Sequence, residues 1–264
     1  MFENTKRKSS CKVSVITVVY NKPDELESTI QSVISQDFTD KEFIIIDGGS
    51  DNATVDVIKK YKDHIDFCIS EDDFGIYDAM NKGIKYSKGK WLNFMNAGDL
   101  FYEKNTMEKV FNNNHEDIDI IIGNTEISYE GFSRQFKPNN IKDWWKGHQF
   151  IHQSTFIDRK YQLKNLYNIN SKIGGDFEFF YKAIYSNKRL LIIDQIIAIF
   201  KSGGVSDIKR IDGLFSNLKF LLRTNFSLYI LFFYFYRIFL EVIKSFLKLI
   251  LPKRVKLSIQ KNTK

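Results

Sequence analysis

The sequence predicts an α/β protein with a doubly wound sheet, because apolar strand-like runs alternate with amphipathic helix-like segments. Residues 12–20 (KVSVITVVY) are a near-continuous run rich in β-branched residues, which is typical of a strand buried on both faces of a parallel sheet. Residues 24–35 place apolar side chains on one side of a helix. Residues 43–46 (FIII) then form a second buried strand. This β-α-β order predicts right-handed crossover connections.

The rest of the chain continues the alternation. Further helices are predicted over residues 54–61, 76–86, 100–110 and 177–186, and further strands over residues 67–69, 91–95 and 118–122, the last ending at Gly123–Asn124. Sheets of this kind bind their ligands beyond the carboxyl ends of the strands. Polar residues at those positions are therefore the first candidates for a functional site.

Length and composition fit a globular protein. A chain of 264 residues with 43% hydrophobic residues can bury a full core. The two cysteines, Cys11 and Cys68, do not supply a disulfide framework and suit a reducing compartment. Residues 1–11 lack the apolar segment of a secretory signal, and we expect them to form a flexible N-terminal tail.

The net charge of +7 is unevenly distributed. Residues 201–264 contain 13 Lys and Arg and 3 Asp and Glu, which leaves 26 basic and 29 acidic residues in the rest of the chain. The body is thus mildly acidic, and the basic excess lies beside an apolar helix. This distribution favours a membrane surface as partner and argues against nucleic acid.

Two aspartates follow predicted strands. Asp47 comes directly after the second strand, and Asp99 closes the Asn96-Ala97-Gly98-Asp99 segment after the strand 91–95. Side chains at such positions meet the ligands that open α/β sheets bind. The alternative is a structural role for each, in the DGGS turn for Asp47 and as the cap of the following helix for Asp99.

Four segments carry a resemblance to a known family. In order along the chain they are VSVITVVYN (13–21), IIIDGGSDNAT (44–54), SEDDFGIYDAMNKGI (70–84) and LNFMNAGD (92–99). They resemble the successive motifs of the A-type glycosyltransferases of family 2, and most of all those of bacterial members that build surface polysaccharides. The resemblance covers about residues 12–206 and implies the GT-A fold and inverting transfer from a nucleotide-sugar, with UDP as the expected nucleotide.

The resemblance also implies the donor site. The residues expected to bind the nucleotide-sugar are Thr17, Val19, Asn21, Asp47, Glu71, Asp73, Tyr77, Asn81 and Asn96. One position departs from the pattern, because Met80 stands where many relatives carry an arginine before the asparagine of the third motif. Lys82 is a minor candidate for offsetting the charge of the diphosphate, the alternative being a solvated helix lysine.

Asp99 corresponds to the last acid of the family's metal-binding element. Mg2+ and Mn2+ prefer a few carboxylates together with phosphate oxygens and water, so the resemblance implies Mg2+ or Mn2+ held by Asp99 and the donor diphosphate. The first acid of the element is replaced here by Asn96. That replacement removes one charge and predicts looser binding of the ion.

The downstream half is expected to bind the acceptor. Asp176 matches the catalytic aspartate of the family, with Gly175 at the position where glutamate is common. A general base there would take the proton of the acceptor hydroxyl. Glu178 is the rival base, and a helix cap is the structural alternative for Asp176. Ahead of this element, Trp144–Trp145 and His148 form a lip-like aromatic segment.

Two further pairs resemble elements of the same enzymes. His152–Gln153 resembles a recurrent pair that shapes the acceptor pocket, although a lone histidine is more often structural. Gly203–Gly204 resembles a glycine-rich loop that closes over the diphosphate through its backbone N–H groups. A flexible linker is the alternative for the two glycines.

The C-terminal part predicts an amphipathic helix at a membrane surface. Between Arg223 and Arg237 lie 13 uncharged residues, fewer than the roughly 20 that a spanning helix needs. Beyond them a narrow polar stripe runs along an otherwise apolar helix, and basic residues follow Pro252. Residues of about 226–256 would lie in an anionic membrane interface; a helix packed on the protein or on another copy is the alternative.

Together these observations predict a flexible tail (1–11), a GT-A catalytic domain (12–206, with a nucleotide-sugar half 12–99 and an acceptor half 100–206) and a membrane-associating helical region (207–264). The expected function is transfer of a sugar to a saccharide or polyprenyl-linked acceptor in bacterial surface-polysaccharide synthesis. The expected location is the cytoplasmic face of the cell membrane. Two rivals are a nucleotidyltransferase and a non-catalytic, membrane-attached binder of nucleotide-sugars.

Overall fold

The computed structural model describes residues 2–3, 7–186, 188–204 and 208–250, with side chains described for residues 7–186, 188–204 and 208–247. The chain separates into two compact units. The first runs from the N-terminal residues to Ser128 and from Ser133 to Lys201, and the second consists of Tyr129–Phe132 and the chain from Ser202 onward.

The order of strands and helices follows the predicted alternation. Within the described ranges, the strands are β1 (Phe2–Glu3), β2 (Cys11–Val19), β3 (Lys41–Asp47), β4 (Phe67–Ser70), β5 (Gly89–Phe94), β6 (Leu100–Phe101), β7 (Ile120–Tyr129), β8 (Phe132–Phe136), β9 (Thr155–Asp158) and β10 (Leu190–Lys201). The helices are α1 (Pro23–Ile34), α2 (Asn52–Lys60), α3 (Ile76–Tyr86), α4 (Thr106–Phe111), α5 (Arg159–Lys164), α6 (Gly175–Tyr185), α7 (Arg210–Thr224) and α8 (Leu228–Ile250).

One mixed sheet carries the first unit, in the order β1-β4-β3-β2-β5-β9-β7-β10-β6, with β8 paired to β7. Strands β4, β3, β2 and β5 are parallel to one another, and β1 is antiparallel to β4. Strand β9 is antiparallel to both β5 and β7. The chain leaves β2 towards β3 on one side and returns as β5 on the other, which creates the switch point where such sheets bind ligands. The predicted doubly wound α/β fold is confirmed.

The central strand is buried as its composition predicts. Val13, Val15 and Ile16 of β2 are fully inaccessible to solvent. Helix α3 approaches this strand closely at Gly83, where an added Cβ would lie 2.4 Å from Cγ2 of Ile16. Because interiors are packed at crystal-like density, a side chain at position 83 would push α3 off the sheet.

The N-terminal segment is better anchored than its polar sequence predicts. Arg7 forms an ion pair with the buried carboxylate of Glu42, with 2.9 Å between Nε and Oε2. Ser14 Oγ donates to Oε1 of the same carboxylate at 2.5 Å. A buried charge needs such partners, and Glu42 obtains one of them from the segment expected to be a free tail. Arg7 and Cys11 of the predicted tail are therefore in contact with the sheet or part of it.

Two predicted boundaries also change. The residues after Asp99 do not start a helix, because Leu100–Phe101 form β6 and pair with Ala198–Ile199 of β10, and α4 begins at Thr106. Asp99 is thus not a helix cap. Strand β7 runs on through Gly123 and Asn124 to Tyr129, because β10 pairs with it in parallel along this length.

The second unit contains α7 and α8, which contact each other. Asn217 hydrogen-bonds the buried hydroxyl of Tyr234, and Arg210 lies 3.6 Å from Glu241. On α8 an exposed stripe repeats every three or four residues and includes Phe232, which is 70% exposed, and Phe239, which is 61% exposed. Across the described residues we find no helix with the combined length and apolarity to cross a membrane.

Candidate active site

Asp99 lies at the carboxyl end of β5, as predicted, and is almost completely buried. It is 6% exposed, and Gln153 Nε2 donates a hydrogen bond to its Oδ2 at 2.7 Å. The turn that presents it is tied to α1, since Thr29 Oγ1 donates to the Asp99 carbonyl and accepts from the Gly98 amide, both at 2.9 Å. Burial raises the pKa of Asp99 to about 6, although the hydrogen bond from Gln153 opposes the rise.

Asp176 lies in the first turn of α6, directly after Gly175. Gly174, which precedes the helix, has a left-handed backbone. Its carboxylate is contacted by three side chains. The hydroxyl of Tyr77 donates to Oδ1 at 3.0 Å, whereas His148 Nε2 and His152 Nδ1 lie 3.2 and 3.5 Å from Oδ2. A carboxylate with donors on both oxygens is held in one orientation.

These contacts also set the charge of Asp176. Burial by itself would raise the pKa of this carboxyl, but the charge and hydrogen bond of His148, together with those of His152, outweigh it and hold the pKa well below its usual range. Donors that favour the ionised form have this effect. These contacts therefore favour the ionised form of Asp176.

A short connection joins the two acids. The 3₁₀ turn His152–Ser154 directs Gln153 to Asp99 and its neighbour His152 to Asp176. His152 also reaches Asn96, with 3.4 Å between Nε2 and Nδ2. The amide oxygens of Asn96 and Gln153 are buried and have no hydrogen-bond partner within the described part of the chain.

Asp47 forms a second polar centre at the end of β3. It is fully buried, and Oδ2 accepts hydrogen bonds from Ser70 Oγ at 2.6 Å and from the Ser50 amide at 3.2 Å. Its Oδ1 is buried and has no partner among the residues with described side chains. A carboxylate oxygen left in this condition needs a donor, which a ligand can supply.

The acidic segment after β4 packs on this strand end. The Glu71 amide donates to the Asp47 carbonyl at 3.1 Å, and the Glu71 carboxylate pairs with Lys82 at 2.9 Å. Asp73 approaches so closely that a Cβ on Gly48 would lie 2.4 Å from its Oδ2. Asp47, Glu71 and Asp73 are thus brought together, as the resemblance implies.

Other predicted donor residues lie around the same strand ends. Val19 closes β2, and its carbonyl accepts from the Gly48 amide at 3.0 Å. Asn21 has a left-handed backbone with φ of 51° and accepts from the Asp51 amide at 2.8 Å. Asparagine tolerates this conformation better than most residues, so Asn21 shapes the turn that follows β2.

Several predicted residues do not face the site directly. Thr17 is buried within the sheet and donates to the Met95 carbonyl at 2.7 Å. The amide of Asn81 is engaged at both ends, with the carbonyl and the amide of Tyr167, each at 2.9 Å. Both side chains therefore support the fold. Gly203 and Gly204 belong to the second unit.

The rival base Glu178 has other partners. Ser171 Oγ and Asn168 Nδ2 both donate to its carboxylate. Two residues along a helix are separated by about 200° of rotation, so Glu178 and Asp176 leave α6 on different sides. Of these two acids, Asp176 is the one that His148 and His152 contact.

Sequence reasoning missed the contact between His148 and Asp176. The segment that carries His148 is held by Trp144, which is buried and donates from Nε1 to the Phe177 carbonyl at 3.0 Å. Phe177 directly follows Asp176, so this bond ties the aromatic segment to the start of α6. The WWKGH sequence marks the segment, but no local pattern shows which carboxylate it will meet.

Comparison with known proteins identifies the class to which this fold and site belong. The chain matches the family described as Glycosyl transferase family 2 over residues 14–185, which is more than half of its 264 residues. The chain therefore belongs to glycosyltransferase family 2 and is a transferase of the GT-A fold, as the motifs predicted.

Relatives of known name agree with this assignment. A "PGL/p-HBAD biosynthesis glycosyltransferase" of Mycobacterium bovis (strain BCG / Pasteur 1173P2) is 28% identical over 203 residues, which cover 74% of this chain and 78% of the relative. An uncharacterized glycosyltransferase of Methanocaldococcus jannaschii is 26% identical over 204 residues, covering 72% and 70%.

Solved structures share the fold at low sequence identity. Residues 1–349 of S. aureus TarS superpose with a TM-score of 0.64 at 17% identity, covering 80% of this chain and 65% of that one. The mannosyltransferase PcManGT of Pyrobaculum calidifontis, solved with GDP-Man and Mn2+, gives a TM-score of 0.60 at 14% identity and covers 81% and 65%. This chain thus spans about two thirds of each neighbour.

Proposed function

We propose that the protein is an inverting glycosyltransferase that moves a sugar from a nucleotide-sugar to a hydroxyl acceptor. The observation that carries the proposal is the pairing of the two acids: His152 and Gln153, adjacent in the chain, connect Asp176 to Asp99. We propose that Asp99 serves the leaving-group end of the reacting bond and Asp176 the attacking end. Inverting displacement needs these two groups at opposite ends of the reacting bond.

The donor is proposed to bind at the ends of β2, β3 and β5. Asp47 offers a buried, unpaired carboxylate oxygen there, which suits ribose or base donors. Solved neighbours support a nucleotide-sugar, since TarS has been solved with UDP and with UDP-GlcNAc, and PcManGT with GDP-Man. We take UDP as the nucleotide to test first.

We propose that a divalent cation binds beside Asp99 together with the donor diphosphate. Among the described residues, no cationic side chain lies within hydrogen-bond distance of the buried Asp99 carboxylate. The amide oxygens of Asn96, which precedes Asp99 by three residues, and of Gln153, which donates to Asp99, have no hydrogen-bond partner there. Oxygen donors of this kind suit Mg2+ or Mn2+. Asp99 would hold the ion, and Gln153 orients its carboxylate. When bound, the ion supplies positive charge to the departing diphosphate.

Asp176 is proposed as the general base. The acceptor oxygen forms a bond to the anomeric carbon as the bond from that carbon to the diphosphate oxygen breaks, and the acceptor proton passes to the Asp176 carboxylate. The low pKa of Asp176 keeps its carboxylate ionised, so that an unprotonated oxygen is present to accept that proton. A well-placed base of this type contributes about 10²–10⁴-fold in rate.

The second unit is proposed to bring the enzyme to its acceptor. The exposed aromatic stripe of α8 and the basic excess of residues 201–264 suit an anionic membrane interface. An acceptor carried on a polyprenyl lipid would lie in that interface. The proposed location is the cytoplasmic face of a bacterial cell membrane, as a peripheral protein; residues 251–256 of the predicted anchor lie outside the described residues.

The base assignment is tested with Asp176→Asn. We expect transfer and donor hydrolysis to fall about 10²–10⁴-fold while the affinity for UDP is unchanged, because Asp176 contacts the acceptor side. Hydrolysis of UDP-, GDP- and dTDP-sugars, with and without Mn2+, provides the assay. The surface variant Asp56→Asn, whose partner is the exposed Lys59, is the control. Near-normal turnover of Asp176→Asn would show that another group accepts the proton.

A further inference from the structure

Tyr77 contacts the proposed base, although its motif groups it with the donor-binding residues. It lies in the first turn of α3, two residues after Gly75, and is 9% exposed. Its hydroxyl donates to Asp176 Oδ1 at 3.0 Å across 99 positions of sequence. His148 and His152 both approach the other oxygen, Oδ2. The phenol therefore binds Oδ1, the carboxylate oxygen that neither imidazole contacts.

Gly175 makes room for this contact. A Cβ built on Gly175 would lie 2.9 Å from ring atoms Cε2 and Cζ of Tyr77. Real Cβ atoms do not make contacts this short, so a side chain at position 175 and the observed ring position exclude each other. Glycine in a helix is otherwise unfavourable. Its presence beside Asp176 is explained by the ring that packs over it.

The surroundings keep the phenol in place and keep it a donor. The rings of Tyr77 and Tyr167 pack with centroids 5.6 Å apart, and the backbone of Tyr167 is tied to Asn81 on the same helix as Tyr77. Burial, together with the charge of Asp176, raises the pKa of Tyr77 well above its usual value. The hydroxyl thus stays protonated throughout the working range of the protein.

We propose that Tyr77 is a positioning residue for Asp176, with Gly175 as the position that allows its approach. The inference rests on the proposed function, in which Asp176 takes the proton of the acceptor. The phenol fixes the carboxylate while the acceptor hydroxyl approaches. Without it, Asp176 is held at Oδ2 only, by His148 and His152, and the proton transfer loses part of its geometry while the donor binds as before.

The test is Tyr77→Phe, which keeps the ring and removes the oxygen. The assay uses whichever UDP-, GDP- or dTDP-sugar the wild type hydrolyses fastest. Its rate is measured as release of the nucleoside diphosphate. We expect kcat to fall about 10- to 100-fold, as for loss of a hydrogen bond to a charged group. The donor KM and the Kd of the nucleoside diphosphate should stay unchanged, and the acid limb of kcat/KM should move to higher pH.

The matched control is Tyr61→Phe, which also removes a phenol that donates to a carboxylate, here Glu27 at 2.7 Å. Its kcat should equal that of the wild type. Gly175→Ala should lower kcat like Tyr77→Phe, and the double variant should be no slower than the slower single, because both disable one contact. Melting temperatures show that each variant is folded.

Two results would overturn the proposal. The first is an unchanged kcat for Tyr77→Phe; the second is weaker binding of the nucleoside diphosphate with kcat preserved, which would make Tyr77 a donor contact. Failure of the proposed function is distinguished by the wild type and by Asp176→Asn. A wild type that hydrolyses no sugar nucleotide, or an Asp176→Asn variant with full activity, removes the base and with it the role of Tyr77.

Discussion

At the scale of single residues, the protonation state of Asp176 depends on an exposed neighbour. His148 has 41% of its side chain exposed and lies 3.2 Å from Oδ2 of Asp176. Burial would raise the pKa of Asp176, and His148 is the largest influence that lowers it. The pKa of Asp176 is therefore set by two opposing effects, the rise caused by burial and the fall caused by the partly exposed His148.

His148→Ala should make the enzyme sensitive to acid. Loss of the imidazole raises the pKa of Asp176, so the carboxylate is protonated at a higher pH and can no longer accept a proton. The acid limb of kcat/KM should move to higher pH, measured by donor hydrolysis across a pH series. His64→Ala, on an exposed 3₁₀ turn, is the control. An acid limb that does not move would show that His148 has no electrostatic influence on the base.

Asp99 illustrates the conflict between stability and function at the same scale. Its pKa in the folded protein is about 6, raised from 3.8 by burial. A raised carboxyl pKa means that the associated stability is fully present below pH 3.8 and is lost as the pH rises through about 6. At neutral pH and without a cation, the charged form therefore destabilises the folded state.

Asp99→Asn should be more stable and less active than the wild type. A shift of about two pKa units corresponds to about 3 kcal/mol, so the free energy of unfolding at pH 8 in chelator-treated buffer should rise by about that amount. The difference should be much smaller at pH 4, where Asp99 is protonated in the folded protein and partly protonated in the unfolded chain. Denaturant titrations at the two pH values measure it, with Asp56→Asn as control. An equal difference at both pH values would contradict the electrostatic explanation.

At the scale of secondary structure elements, α8 presents a continuous exposed apolar surface. The exposed side chains follow one another at helical spacing: Leu228, Tyr229, Phe232, Phe235, Tyr236, Phe239, Val242, Ile243, Phe246 and Leu247. Ile230, Tyr234 and Ile238, four residues apart, are buried instead. Large aromatic surfaces of this type are rare on isolated soluble proteins and fit the headgroup region of a bilayer.

Serine at positions 232, 239 and 246 should weaken membrane binding. Phe232→Ser/Phe239→Ser/Phe246→Ser removes exposed aromatic area without touching the buried side of α8. We expect loss of flotation with vesicles that contain anionic phosphatidylglycerol. Ile192→Ser, which changes an exposed apolar residue of β10, is the control and should float like the wild type.

Vesicle charge separates two possible outcomes for the same helix. Each basic residue near an anionic leaflet contributes about 1 kcal/mol, so the wild type should bind phosphatidylcholine vesicles more weakly than anionic ones. Equal flotation of the triple variant and the wild type would contradict the interfacial role. In that case the stripe serves contact with another protein surface.

At the scale of the whole molecule, the two units divide the proposed work. The first unit holds the polar centres at Asp47 and Asp99, which follow strands, and at Asp176 on α6, and the second unit carries the aromatic helix. The division explains the charge distribution, since the acidic share belongs to the part that would bind a metal-bridged donor. The basic share belongs to the part proposed to meet an anionic surface.

Nucleotide binding should stabilise the protein. A ligand present at a hundred times its Kd adds about 2.7 kcal/mol to the folded state, so UDP with Mn2+ should raise the melting temperature by about 5 to 10 °C. The chelator EDTA should reduce the shift, because the proposed cation would link the diphosphate to Asp99. Equal stabilisation by ADP would argue against a specific uracil site.

Much of the first unit was predictable from sequence because its signals are local. The run KVSVITVVY and the apolar segment FIII marked β2 and β3, and the residues after them marked strand ends where Asp47 and Asp99 lie. An uninterrupted run of β-branched residues predicts a buried strand by itself, even when the neighbouring strands are unknown. The position of Asp176 at the start of a helix also follows from the two glycines and the aromatic run around it.

Other features depended on contacts between distant parts of the chain. The ion pair between Arg7 and Glu42, the strand β6 in place of a helix, and the structural role of Asn81 all rest on partners far away in sequence. None of these residues has a distinctive local pattern. Their roles emerge when the packing of the sheet decides which polar groups are buried together.

The sequence by itself thus determined the family, the parallel core of the sheet and the acids at its strand ends, because hydrophobic periodicity and short motifs are local properties. The tertiary structure decided which side chains contact those acids: Tyr77 and His148 contact Asp176, and Gln153 contacts Asp99. These contacts bridge 99, 28 and 54 positions of sequence. Close packing alone brings such positions together, and it sets the orientation and pKa on which the proposed chemistry depends.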